Sequence, residues 1–149
     1  MKKIVLPILF LTASFLFAGE GKKDNAGLEN LVPEKMRRIA SFNRNGRSVT
    51  VKVVPGKSYL ISAAAKLNAS STNPDMKLRF VILEKGKKGQ KLFAWRSLTA
   101  ESYTTLSDIY KAPEKVEEIT VVFKPNFTVG ESANYKDFLI AEVSEELDE

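Results

Sequence analysis

The stretch VTVKVVPGKSYLISAAAKL, residues 49–67, decides the fold. Val49, Val51 and Val53 alternate with Thr50 and Lys52, the period-two pattern of a strand with one face in a core and one in water. Pro55-Gly56 interrupts it: proline presets φ for a turn, and glycine accepts the positive φ that a turn demands. Beyond the turn, Tyr59, Ile61, Ala63, Ala65 and Leu67 fall on one face of a second strand, with Leu60, Ser62, Ala64 and Lys66 on the other. The three alanines favour helix in isolation. They continue a strand-forming run at 59–62 directly after a turn, so context selects strand.

The same grammar extends toward the C-terminus. Residues 68–75 are a loop of Asn, Ser, Thr and Pro. In 76–84, Leu78, Phe80 and Ile82 share one face while Val81 and Leu83 occupy the other. The basic glycine turn KGKKGQ (85–90) reverses the chain into 91–95, a hairpin. Residues 103–110 read as a strand, 111–115 turn around Pro113, and 117–124 present Ile119, Val121 and Phe123 to one side. After a loop at 125–134, residues 135–143 close the series with Phe138 and Ile140 inward. On the N-terminal side, 31–42 is mixed and is read as a short strand from context. Seven or eight short strands between turns, with no heptad, internal repeat or βαβ alternation, predict an all-β fold, an antiparallel β-sandwich. One-sided apolar patterns favour this over a parallel sheet, whose strands read as continuous apolar runs.

The first residues read as an address. Lys2 and Lys3 precede an apolar run at 4–17, broken only by Pro7, Thr12 and Ser14, and small residues Ala18 and Gly19 follow. This is the pattern of a secretory signal peptide. Its run is shorter than the roughly 20 residues a helix needs to span a bilayer. Cleavage is expected after Ala18, with Leu16 departing from the usual box. The expected organisation is a signal peptide at 1–18, a flexible leader at 19–35, the sandwich at 36–143 and an acidic tail at 144–149. Such a protein is secreted or periplasmic, with no transmembrane segment after cleavage.

Composition narrows the chemistry. The 149 residues include no His and no Cys. That excludes a Ser-His-Asp triad, a cysteine nucleophile, the ordinary zinc and haem sites, and any disulfide. Charge is uneven: residues 19–140 carry a net +8, while 142–149 hold five acids and no base. A basic body attracts anionic polymers, lipid head groups or acidic glycans, and export argues against nucleic acid. A solvated, solubilising surface is the plain alternative.

Three blocks resemble a known family. VTVKVVPGKSYLISAAAK (49–66), SYTTLSDIYKAPEKVEEITVVF (102–123) and YKDFLIAEV (135–143) are similar to the jelly-roll carbohydrate-binding modules of the galactose-binding-like superfamily, the kind appended to cellulases and xylanases. The resemblance covers about two-thirds of the chain and implies a jelly-roll sandwich that recognises a glycan without catalysis. The chain departs from the family in its N-terminal half. NLVP (30–33) resembles the opening phrase, but the usual Phe-Glu is missing and the segment before Val49 is abbreviated. The family's structural calcium is held partly by that opening segment and by a late Asp. Asp137 remains without an N-terminal acidic partner, so no metal or other cofactor is expected.

Sugar recognition of this type stacks an aromatic face on the C–H face of the ring while polar groups bond the hydroxyls. Trp95, the only Trp, is the first candidate platform, with Arg96 beside it. Tyr103 and Tyr110 are further candidates, and Lys88 represents the cluster Lys85, Lys87, Lys88 and Lys91. A packing role is the alternative for each aromatic, and a solvated face for the lysines. Arg37, Arg38, Arg44 and Arg47 form a second basic group suited to carboxylate or phosphate. Asn68-Ala69-Ser70 and Asn126-Phe127-Thr128 fit the N-glycosylation pattern. Catalysis would need paired carboxylates, and Glu101 with Asp108, or Glu117 with Glu118, are weak pairs. Adjacent strand residues such as Glu117 and Glu118 face opposite ways. The sequence thus points to a non-catalytic exported module for a polysaccharide, anionic glycans included. An envelope accessory protein that uses its sandwich to assemble with a protein partner is the rival reading.

Overall fold

The computed structural model describes residues 2–3, 27–68, 76–127, 130–144 and 146–147. The apolar segment and cleavage position expected near the N-terminus, the leader up to residue 26, the loop 69–75 and Thr128 lie outside these. Ten strands are described: β1 (Lys2–Lys3), β2 (Ala40–Asn43), β3 (Arg47–Lys52), β4 (Ser58–Leu67), β5 (Lys77–Glu84), β6 (Lys91–Ser97), β7 (Thr104–Lys111), β8 (Glu118–Pro125), β9 (Ser132–Val143) and β10 (Glu146–Leu147). Two four-stranded antiparallel sheets run in the orders β2-β9-β4-β7 and β3-β8-β5-β6. From β2 to β9 only the β5–β6 connection stays within one sheet, and the rest cross over as in a jelly roll. The Pro55-Gly56 turn is one such crossing. β1 and β10 form a separate two-residue ladder that sets Lys3 against Glu146.

The predicted inward faces are the buried ones. Val49, Val51 and Val53 from one sheet meet Tyr59, Ile61, Ala63, Ala65 and Leu67 from the other. Phe123 centres an aromatic cluster, with ring centroids 4.8 Å from Phe80, 4.7 Å from Phe138 and 5.2 Å from Tyr135. Tyr59 keeps its polar tip satisfied at the sandwich end, its hydroxyl accepting the Val54 N–H at 2.7 Å. The outer face of β4 and β9 carries a second apolar cluster of Leu60, Leu139, Ala141 and Val143, against which Leu28 and Ile109 pack.

Residues 30–32 were expected in a flexible leader and are instead part of the sandwich. Val32 is fully buried, and Leu31 N–H donates to Ile140 C=O at 2.8 Å. The Asn30 side chain ties the segment to β9: its amide donates to Phe138 C=O, and its carbonyl accepts from Val32 and Ile140 N–H. Arg37 donates to the Val32 and Asn30 carbonyls at 2.7 and 2.8 Å. The polar look of this segment thus comes from side chains that satisfy backbone groups. Residues 34–36 form a 3-10 turn, so the strand read into 31–42 begins only at Ala40.

Two irregularities set side-chain direction. In β9 the register to β4 jumps between Ser62↔Leu139 and Ala64↔Lys136, and Asp137 sits in the jump at φ 55°. A bulge adds one residue and reverses the alternation, which lets Tyr135 and Phe138 both face the core. In the β2–β3 turn, Gly46 has φ 72° and donates to Asn43 C=O at 2.8 Å. A Cβ there would lie 1.9 Å from Phe123 C=O, so only glycine fits.

Candidate functional site

Strand alternation builds one composite surface on the outside of sheet β3-β8-β5-β6. Leu78 and Phe80 face the core, so Lys77 and Arg79 face out. Arg79 lies opposite Trp95 across the β5–β6 ladder and opposite Lys124 across the β5–β8 ladder. The three side chains therefore form a row across three strands, and cross-strand partners sit about 5 Å apart at Cβ. Trp95 is 51% exposed, unusual for the one indole of a chain this size. Lys77 Nζ stands 5.2 Å from the Trp95 ring centroid. Lys77, Arg79, Trp95, Lys124 and Asn126 line an open groove of about 310 Å³. No carboxylate is among these lining residues.

Asn126 orders the groove end, its side-chain carbonyl accepting the Lys77 N–H at 2.7 Å. Lys124 Nζ donates to Gln90 Oε1 at 3.2 Å, which brings the basic turn 85–90 to the groove's side. The groove can stack a sugar ring on the indole while a guanidinium and two ammoniums meet a carboxylate.

Of the ligand-binding candidates named from the sequence, Trp95 alone enters this groove; Asn126, noted only for its glycosylation pattern, lines it too. Arg96 pairs with inward-facing Leu78, so alternation turns it away from the face of Trp95, and its guanidinium donates to Trp95 C=O at 2.8 Å. Tyr103 stands before β7 and holds Lys136 Nζ 4.3 Å and Lys66 Nζ 5.1 Å from its ring centroid. Lys66 and Lys136 belong to the other sheet, so Tyr103 and Trp95 do not form one platform. Lys88 lies in the exposed turn outside the groove lining.

Tyr110 is corrected outright. It is 6% exposed, packed in the core, and its hydroxyl donates to Glu84 Oε1 at 2.8 Å, so it offers no face to a ligand. Tyr110 shares that carboxylate with Lys91 at 2.8 Å and Lys87 at 3.1 Å. Burial pushes the Glu84 carboxyl up, but the hydrogen bonds from Lys91, Tyr110 and Lys87 outweigh it and hold the carboxyl below its ordinary value. Burial and the neighbouring Glu84 carboxylate hold the Tyr110 phenol well above its own. Lys85 pairs with Glu118 at 3.3 Å. The lysine cluster thus anchors the β5–β6 turn, and Lys88 is its one member with no ion pair among the described residues.

The sequence reading missed Lys77, Arg79 and Lys124. Their signal was the alternation of basic with apolar residues at 77–80 and 123–124, but the register that aligns them with Trp95 is a tertiary fact. Asp137, linked by resemblance to calcium, is exposed, and no cluster of three or more acidic residues suited to a metal occurs among the described residues.

No protein-family model matches the chain, and no match to a curated protein was found. Solved structures share the fold. One is a family 22 carbohydrate-binding module with its family 10 xylanase module from Clostridium thermocellum xylanase 10B, complexed with xylohexaose: TM-score 0.53, 16% identity, 74% of this chain and 25% of that one. A second is the family 22 xylan-binding domain of Paenibacillus barcinonensis Xyn10C: TM-score 0.57, 19% identity, 66% of this chain and 65% of that one. A family 4 carbohydrate-binding module is similar at TM-score 0.53 and 16% identity, over 84% of this chain and 83% of its own. The chain thus spans only a quarter of the xylanase structure and less than two-thirds of the xylan-binding one. At these identities the likeness establishes a shared jelly-roll sandwich. No helix among the described residues is long and apolar enough to cross a membrane.

Proposed function

We propose that this protein is an exported, non-catalytic glycan-binding module whose ligand is acidic, and that the Trp95 groove is its binding surface. The observation that carries the reading is the row Trp95–Arg79–Lys124 across three strands. An exposed indole supplies the stacking plane. Arg79 offers the planar fork that grips a carboxylate at two oxygens, while Lys77 and Lys124 add diffuse positive charge. A neighbour of the same fold is a xylan-binding domain, which supports a sugar as the stacking partner. The cations select among sugars: a neutral chain would leave three of them without a counter-charge, whereas a uronate-bearing chain supplies one. Export rests on the signal-like pattern of residues 1–18.

Affinity electrophoresis tests this in gels that contain polygalacturonate, glucuronoxylan or neutral arabinoxylan. The reading expects retardation by the two acidic polymers, weaker retardation by the neutral one, and loss of both in Trp95→Ala. Equal migration in all gels would overturn it.

A further inference from the structure

At the opposite edge of the sandwich, β2 and β3 are the outermost strands of their respective sheets. Between them, beside the 3-10 turn Glu34–Met36, lies a groove of about 610 Å³. Its size is within the range of small-molecule sites. Met36, Ala40 and Val122 give it apolar wall, and Lys35 and Arg47 give it two cations.

Tyr135 also lines it. This residue is 2% exposed, and its ring is held among Phe42, Phe123 and Phe138. Its hydroxyl makes no hydrogen bond to any described residue, unlike the other two buried tyrosines, Tyr59 and Tyr110. A buried O–H without a partner is destabilising, and natural cores rarely leave one so. Burial pushes the phenol above its ordinary value, with the Arg47 charge opposing the rise, and both side chains line the groove. The Arg47 guanidinium itself has one long hydrogen bond, 3.3 Å to Ser41 C=O.

We infer that this groove is a second ligand site, which takes a single acidic sugar unit, a pyranose bearing a carboxylate. The carboxylate meets Arg47 and Lys35, the Tyr135 O–H donates to a ring or hydroxyl oxygen, and the apolar wall receives the C–H face. The inference is independent of the Trp95 groove: β3 and β6 are the opposite edges of one sheet, and Trp95 lies on β6.

The test is an NMR titration of the 15N-labelled protein with sodium galacturonate, with glucose and inorganic phosphate as parallel arms. Saturable shifts are expected at the Gly46 and Arg47 amides and the Arg47 side-chain N–H. Arg47→Gln should weaken that response about 10-fold or more. Tyr135→Phe, which keeps the buried ring, should weaken it about 5-fold. The Trp95 indole signal reports the other groove separately, so failure at one site is distinguishable from failure at the other. No saturable shift at Gly46 and Arg47, or an unchanged response in Arg47→Gln, would overturn the site. An equal response to glucose would overturn the role of charge, and an equal response to phosphate would overturn the sugar.

Discussion

Trp95 and Arg79 are direct partners across the β5–β6 ladder, and both point away from the core. A stacking plane and a guanidinium fork therefore sit side by side on paired strands instead of on loops, and the backbone that carries them is fixed before a ligand arrives.

This pairing separates the two parts of recognition. Arg79→Gln should lower affinity for polygalacturonate about 10-fold and leave neutral arabinoxylan nearly unchanged. Ion pairing at an exposed surface is screened by salt. Calorimetric affinity of the wild type for the acidic polymer should therefore fall as NaCl rises, with a shallower slope in Arg79→Gln.

Glu84 gives the fold an acid-sensitive clamp. Its folded-state value lies below its ordinary value of 4.5, so protonation favours the unfolded chain. The stabilisation is complete above that ordinary value and is lost as pH falls through the folded one. Glu84→Gln should cost about 1–3 kcal/mol near neutrality and flatten the acid limb of stability against pH. Urea midpoints between pH 7 and pH 3 check both.

Gly46 is predicted to tolerate no side chain. An alanine Cβ would meet backbone oxygen of β8, which cannot move without disturbing the ladder. Gly46→Ala should lose about 2–3 kcal/mol in chemical denaturation.

Asp137 distinguishes a conformational role from a metal one. At φ 55° it occupies the left-handed region, which Asp tolerates and β-branched residues do not. Asp137→Gly should change stability by less than about 0.5 kcal/mol, whereas Asp137→Val should cost about 1–2 kcal/mol. EDTA should leave the thermal midpoint of the wild type unchanged.

Much of the fold was legible because period-two alternation survives in most strands. Residues 49–53, 59–67 and 119–123 bury the faces that their patterns predicted. Residues 30–32 were not legible, because Asn30 reads as a loop residue although its amide serves β9 as a strand neighbour would. The site was half legible. Trp95 could be singled out as the only indole, but adjacency in sequence offered Arg96, and a strand sends neighbours to opposite faces. Its cross-strand partner Arg79 comes from 16 residues earlier, and Lys124, one strand beyond Arg79, from 29 later, in registers that only the folded ladders specify. Tyr110 failed as a candidate because its phenol is consumed by Glu84, a buried charge with no sequence signature.

The most direct test uses the fact that the protein has a single Trp. Intrinsic fluorescence is followed while polygalacturonate oligomers are added. A half-exposed Trp95 on which a sugar ring stacks should give a saturable change in emission with a blue shift, reached only at higher concentrations of neutral xylo-oligomers and shifted to weaker affinity by raised salt. A flat titration, or an equal change with neutral oligomers at the same concentration, would contradict the account.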